Sequence, residues 1–190
     1  MDKTFDELLA DVAAATPAPG GGSVSGWACA LGAALVEMSA RITLERPDHS
    51  DRHARMAEIA RQAAELRQEA GALAERELHA YEPVLEAMHL PAGTPDRRAR
   101  LDAALSQAAE TPLEIARVAA EVATLALETA RDAAPQLRGD ALTGLVLSEG
   151  ACRAAGELAR IDLAELRRDP RLTEISELIE SAEARRAQGF

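Results

Sequence analysis

Residues 16–29 read TPAPGGGSVSGWAC, and the chemistry on offer there belongs to the backbone rather than to any side chain. Pro19 precedes three successive glycines, Gly20, Gly21 and Gly22, and Ser23 then opens an apolar run that reads as a helix. Glycine triplets lose much conformational entropy on folding, so a reason for one is needed. Three readings fit. The stretch can turn the chain back between two helices. It can hold an anion, because successive N–H groups ahead of a helix N-terminus point at negative charge. Or it can let a ligand or another helix come close to the main chain. The nucleotide-binding version is excluded, since no Lys-Ser/Thr follows at P-loop spacing and no strand precedes the glycines.

The titratable residues offer less by type and spacing. Glu75-Arg76-Glu77 places two carboxyls at i and i+2, which do not share a helix face, and by itself it reads as charged surface. His49 and His53 stand at the i, i+4 spacing that can hold a metal. No third ligand accompanies them, so they read as surface histidines and no metal site is expected. Cys29 and Cys152 lie in apolar helical surroundings and read as buried free thiols.

The elements that must position these groups are helices. Of 190 residues, 47% are hydrophobic but only 2% aromatic, and β-formers are scarce. A core of Ala, Leu and Val buries little area per residue, so its helices must run close and long. The expected fold is all-α, an elongated antiparallel helical bundle, in a single domain over residues 1–190 that pairs as a dimer. The first helix spans about Thr4 to Ala15, with Thr4 and Glu7 spaced as a capping box. The second spans about Ser23 to Leu44, with Leu31, Leu35, Met38 and Ile42 along one face. Gly22, Gly26, Ala30, Ala33 and Ala34 leave another face smooth enough for a backbone to approach.

Ser50 reads as the N-cap of a long helix reaching about Met88. Thr94-Pro95 and Thr111-Pro112-Leu113-Glu114 read as further helix starts, the second with a capping glutamate. That helix runs to about Ala133, another follows from about Leu137 to Arg168, and Asp169-Pro170 caps the last, expected to stop before Gln188. The net charge of −11 comes with Arg, Glu and Asp interleaved, without the basic stripe that nucleic acid requires. No signal peptide opens the chain and no apolar run is read as membrane-spanning. A cytoplasmic protein without nucleic-acid or membrane partners is expected.

Longer stretches carry a resemblance. APGGGSVSGWACALGAALVEMSARIT (18–43), ALAERELHAYEPVLEAMHLPAGTP (72–95) and AALSQAAETPLEIA (103–116) resemble the cyclodeaminase/cyclohydrolase family of folate enzymes, over nearly the whole chain. The resemblance implies an all-helical dimer whose substrate, a tetrahydrofolate derivative, sits near the glycine loop, with no metal and no cofactor beyond that substrate. It implies one of two reactions. A cyclohydrolase adds water to the cationic methenyl bridge and opens it to the 10-formyl form; a cyclodeaminase closes the formimino form to methenyl and expels ammonia. Both need proton transfer at a tetrahedral carbon between nitrogens.

Residue by residue, the resemblance implies Glu77 as the proton donor and Asp140 as a second catalytic acid. It implies Pro19, Gly20, Gly21, Gly22 and Ser23 as the substrate rim, joined by Glu75 and Tyr81, with Arg46 for the anionic glutamate tail. Glu75 and Glu77 stand where the family has aspartates, and Tyr81 where it has phenylalanine. Arg160 matches the arginine of an Asn-x-Arg-x-Asn pattern whose flanking positions are Leu158 and Asp162; its alternative is an ion pair with Asp162 or Glu157. Hydrolysis of 5,10-methenyltetrahydrofolate is the favoured expectation, because a formiminotransferase region is absent from the sequence. The cyclodeaminase reaction, or a non-catalytic folate-binding role, stands as the alternative.

Overall fold

The computed structural model of the chain describes residues 4–164, 166 and 169–190, and among these there are helices and no strand. The helices are α1 (Phe5–Val12), α2 (Gly21–Leu44), α3 (His53–Ala80), α4 (Glu82–His89), α5 (Arg97–Ala108), α6 (Glu110–Asp132), α7 (Arg138–Asp162) and α8 (Arg171–Gly189). Helices α2, α3, α6 and α7 pack along their lengths as an antiparallel bundle, with α8 laid over α6 and α7 and the shorter α4 and α5 against each other.

The expected capping box forms at α1. The Glu7 backbone N–H donates to Thr4 Oγ1 at 3.3 Å, and the Thr4 N–H donates to the Glu7 carboxylate at 2.7 Å. Other boundaries differ from expectation. Residues 47–52 form a 3₁₀ turn, and α3 starts at His53 behind Arg52, without a Ser50 cap. The long helix also breaks at Tyr81, where Pro83 follows without the N–H an uninterrupted helix would need. Asp96, in the left-handed region (φ 57°), precedes α5 in place of a Thr94 cap.

Helix α6 starts at Glu110, one residue before the proposed Thr111 cap. Thr111 and Glu114 turn sideways to Arg76 of α3 instead of capping their own helix. Helix α7 ends at Asp162, and the expected end at Arg168 lies outside the described residues. The Asp169 carboxylate does accept from the Arg171 N–H at 2.9 Å at the start of α8, which continues to Gly189.

Helix α2 organises the core through its small residues. At Gly26 a Cβ would lie 2.8 Å from the Ala74 Cβ and 3.2 Å from the Ala70 carbonyl, so α2 and α3 touch nearly backbone to backbone. Cys29, Ala33, Val36 and Ala40 continue that buried face. The larger apolar side chains point the other way: Leu31 is 56% exposed, and Met38 and Ile42 are also exposed. The residues with the smallest side chains are inside because proximity of helix axes, rather than side-chain bulk, fills this interior. By length and composition α2 could cross a membrane, which corrects the expectation that no apolar run reaches that size; 44% of its apolar window is buried within the protein.

Two buried glutamates are each held by two arginines. Glu37 of α2 pairs with Arg41 at 2.7 Å and with Arg67 of α3 at 2.9 Å. Glu149 of α7 pairs with Arg153 at 3.4 Å and with Arg186 of α8 at 3.3 Å. The bridges from Arg67 and Arg186 join neighbouring helices and fix their register, since removal of one partner would strand a buried charge. Cys29 and Cys152 are buried and unbonded to each other, as expected, and burial pushes each thiol up to about 12.

Gly26→Ala is expected to lower stability by about 1–3 kcal/mol, because the new methyl must separate α2 from α3. A reduced urea midpoint with an unchanged slope would be the signature; an unchanged midpoint would mean that the crossing is loose.

Candidate active site

The glycine stretch ends in a cavity of about 420 Å³ between the first turn of α2, the C-terminal ends of α3 and α7, and the start of α6. That volume lies in the range of small-molecule sites. Gly20 has an extended backbone (φ −116°, ψ −165°) and serves as the N-cap of α2 without contributing a side chain. The first N–H groups of α2 thus have no side-chain cap, and Gly20, Gly21 and Gly22 line the cavity. The Ala18–Pro19 peptide is cis.

Glu77 enters from α3. Its carboxyl lies so close over Gly22 that a Cβ there would be 2.1 Å from Glu77 Oε1. Leu158 of α7 approaches the neighbouring glycine in the same way, 3.5 Å from the position a Gly21 Cβ would take. Asp162, one helical turn beyond Leu158, also lines the cavity. Two carboxyls thus reach one space from two helices that meet over adjacent glycines. Tyr81 and Glu82 stand in the same wall, and Pro112 of α6 supplies an apolar surface.

The two acids are poorly compensated. Glu77 Oε2 is buried and has no hydrogen-bond partner. Burial pushes the Glu77 carboxyl up to about 7; the charge of Asp162 adds to the rise and Arg76 opposes it. Burial also pushes Asp162 up to about 6. The neighbouring cations are engaged elsewhere: Arg76 with Glu114 and Thr111, Arg160 with Glu157 and with Ser176 of α8. Carboxyls that titrate near neutrality in a cleft are suited to proton transfer.

The residues expected from sequence divide into two groups. Gly20, Gly21, Gly22, Glu77 and Tyr81 come together at this cavity, with Pro19 in the rim loop and Ser23 buried just behind it, its hydroxyl unpartnered. Glu75 is exposed on α3 and does not line the cavity; i and i+2 positions diverge as anticipated. Arg160 is directed to Glu157, the second of its two expected partners. Arg46 and Asp140 lie at the opposite end of the bundle. The 24 residues of α2 put Arg46 about 36 Å along the axis from the glycines. Asp140 is about 33 Å along α7 from Asp162. Within one chain neither reaches Glu77.

His79 is exposed and pairs with Glu82 at 2.7 Å, and the His53 ring nitrogen contacts the Arg46 carbonyl at 3.0 Å. Asp162 was legible only as a departure from a sequence pattern or as a partner for Arg160. The signal that could have found it is its i, i+4 relation to Leu158, which fixes a shared helix face.

A larger hollow of about 540 Å³ lies between α3 and α6, walled by surface arginines and glutamates that include the Arg61–Glu58 and Arg55–Glu128 pairs. It is remote from the glycine loop.

Because both acids are raised above their ordinary values, the folded protein binds more protons than the unfolded chain between about pH 4 and 7. Stability at this site therefore falls as pH rises through that window. Glu77→Gln is expected to gain about 1–2 kcal/mol at pH 8, after allowance for solvent screening at the open cavity, and almost nothing at pH 4. Chemical denaturation at both pH values measures it; a loss of stability at pH 8 would mean that the carboxylate is satisfied.

The family profile described as formiminotransferase-cyclodeaminase matches residues 4–181. A methenyltetrahydrofolate cyclohydrolase of Methylorubrum extorquens is 30% identical over 129 residues, which are 66% of this chain and 62% of that protein. A formimidoyltransferase-cyclodeaminase of Mus musculus is 34% identical over 128 residues, 64% of this chain and 23% of that protein. The chain thus spans less than two thirds of the length of these relatives. The crystal structure of a formiminotetrahydrofolate cyclodeaminase from Thermotoga maritima superposes with a TM-score of 0.84 at 26% identity, covering 99% of this chain and 92% of that one.

Proposed function

The chain belongs to the formiminotransferase-cyclodeaminase family, and on that premise we propose that it hydrolyses 5,10-methenyltetrahydrofolate to 10-formyltetrahydrofolate. The observation that carries the proposal is the Glu77 carboxyl, half-buried over the α2 N-terminus and balanced near neutrality. The methenyl substrate is a cation delocalised over two nitrogens and the carbon between them. A cavity with two weakly compensated acids attracts such a group electrostatically. Its 420 Å³ accommodates part of a folate, while the rim glycines keep the walls close to a flat ring.

The chemistry follows from the proton count. Water adds to the bridge carbon, its oxygen forming the new bond and one of its protons leaving to a base. The C–N5 bond then breaks as N5 receives a proton from Glu77. The carboxylate left behind takes the hydroxyl proton as the formyl C=O forms. The balance is one cation and one water in, one neutral formyl product and one proton out. The relative named methenyltetrahydrofolate cyclohydrolase supports this direction. Ring closure with release of ammonia is the second reading, supported by the fold match over 99% of the chain to a protein named for that activity.

The reading includes a homodimer. Leu31, Met38 and Ile42 of α2 and Val146 of α7 are exposed apolar side chains. Exposed apolar surface is suited to self-association. A two-fold axis near Leu31 with antiparallel α2 helices would lay the Arg46 and Asp140 end of one copy beside the glycine end of the other.

Two measurements test these statements. Loss of the methenyl chromophore should accelerate with wild-type protein and fall about 10²–10⁴-fold with Glu77→Gln. No acceleration by the wild type would overturn hydrolysis, ammonia release from the formimino substrate would select the second reading, and folate binding without turnover would leave a binding role. In sedimentation, Leu31→Asp should convert dimer to monomer; a wild-type monomer would overturn the assembly.

A further inference from the structure

Glu77 accounts for the proton delivered to N5 but leaves the attacking water without a base. The base must reach the same cavity, hold no neutralising partner, and approach from a different direction than Glu77. Glu82, at the start of α4, is paired with His79. Glu114 of α6 is paired with Arg76, and Glu157 of α7 with Arg160. Helix α2 brings no acid to this end, and Tyr81 is a phenol at the mouth. Among the described residues, Asp162 is the acid that remains.

Its position is fixed by backbone geometry. Leu158 packs on Gly21, Glu77 packs on Gly22, and Asp162 follows Leu158 by one turn on the same face of α7. The two carboxyls therefore come from helices anchored on consecutive residues of the α2 N-terminus, and both line the cavity. We propose that Asp162 is the base that takes the proton of the attacking water, working across the cavity from Glu77 as the acid. This rests on the hydrolytic reading above.

The pair enters the cycle with one proton, on Glu77. As the water oxygen bonds to the bridge carbon, its proton passes to Asp162. Glu77 then gives its proton to N5 while the C–N5 bond breaks, and recovers the hydroxyl proton as C=O forms. Asp162 finally releases its proton to solvent, the one proton that the overall reaction sheds. The Asp162 charge opposes ionisation of Glu77, which favours keeping the shared proton on Glu77 while Asp162 is charged. Arg76 on α3 acts in the reverse sense on Glu77. Arg160 on α7 is held by Glu157 and Ser176.

The test compares wild type, Asp162→Asn and Asp162→Glu in the full-length protein, with methenyltetrahydrofolate as substrate and with ¹³C-labelled glutamate carboxyls followed by NMR. Asp162→Asn should lower kcat about 10²–10³-fold with KM changed less than about threefold, and should abolish the acidic limb of the pH profile. Asp162→Glu should restore most of kcat. The Glu77 resonance should titrate at lower pH in Asp162→Asn than in wild type, because a like charge has been removed. An Asp162→Asn enzyme within threefold of wild type, or a Glu77 titration that does not move, overturns the proposal. A wild type that does not turn over the folate overturns the hydrolytic reading and the base role with it. The titration then still decides whether the two carboxyls are coupled.

Discussion

Gly22 has no side chain, and the Glu77 carboxyl occupies the space one would fill. That single steric fact ties the first turn of α2 to the middle of the site. The helix N-terminus, the cavity and the acid cannot be moved independently, because the contact is shorter than any side chain at position 22 would allow. The same device recurs four residues on, where Gly26 lets α2 lie against Ala70 and Ala74 of α3. The close helix crossing and the buried carboxyl are thus consequences of one stripe of small residues. Tight packing makes the stripe intolerant of added volume.

The placement of Glu77 works against the stability of the fold and in favour of proton chemistry. A carboxyl with a buried, unpartnered oxygen resists ionisation, and a second carboxyl in the same cavity increases the resistance. Elsewhere in the protein buried acids are treated differently: Glu37 and Glu149 each receive two arginines. The contrast separates acids that hold helices in register from acids left free to exchange a proton. Arg76, whose charge reaches Glu77, is paired with Glu114, and Arg160, two residues from Asp162, is paired with Glu157.

Much of the fold was legible in the sequence because helix signals are local. The Thr4 and Glu7 spacing specified its capping box, while at α8 the N-cap position is Pro170 and the Asp169 carboxylate accepts from the Arg171 N–H just ahead of the helix. The failures have a common cause. Thr111 and Glu114 have the spacing of a cap but bond to Arg76, since a salt bridge between helices outcompeted the local arrangement. Leu31, Leu35, Met38 and Ile42 share one helix face as their spacing implies, but the spacing did not say that Leu31, Met38 and Ile42 would be exposed within the chain. Apolar periodicity marks a face that prefers contact, without saying whether that contact lies inside the molecule.

Composition alone determined that the protein is helical, and the glycine stretch with its following small residues determined that a backbone would be approached closely there. Those properties reside in consecutive residues. The tertiary structure decided which acids share a space. Glu77 and Asp162 are 85 positions apart and meet only because α3 and α7 both end at the start of α2. Asp140 and Glu77, joined by resemblance, are held apart within one chain by the length of a straight helix. Proximity of side chains across helices depends on where each helix stops and which neighbour it packs against, and no local sequence signal encodes either.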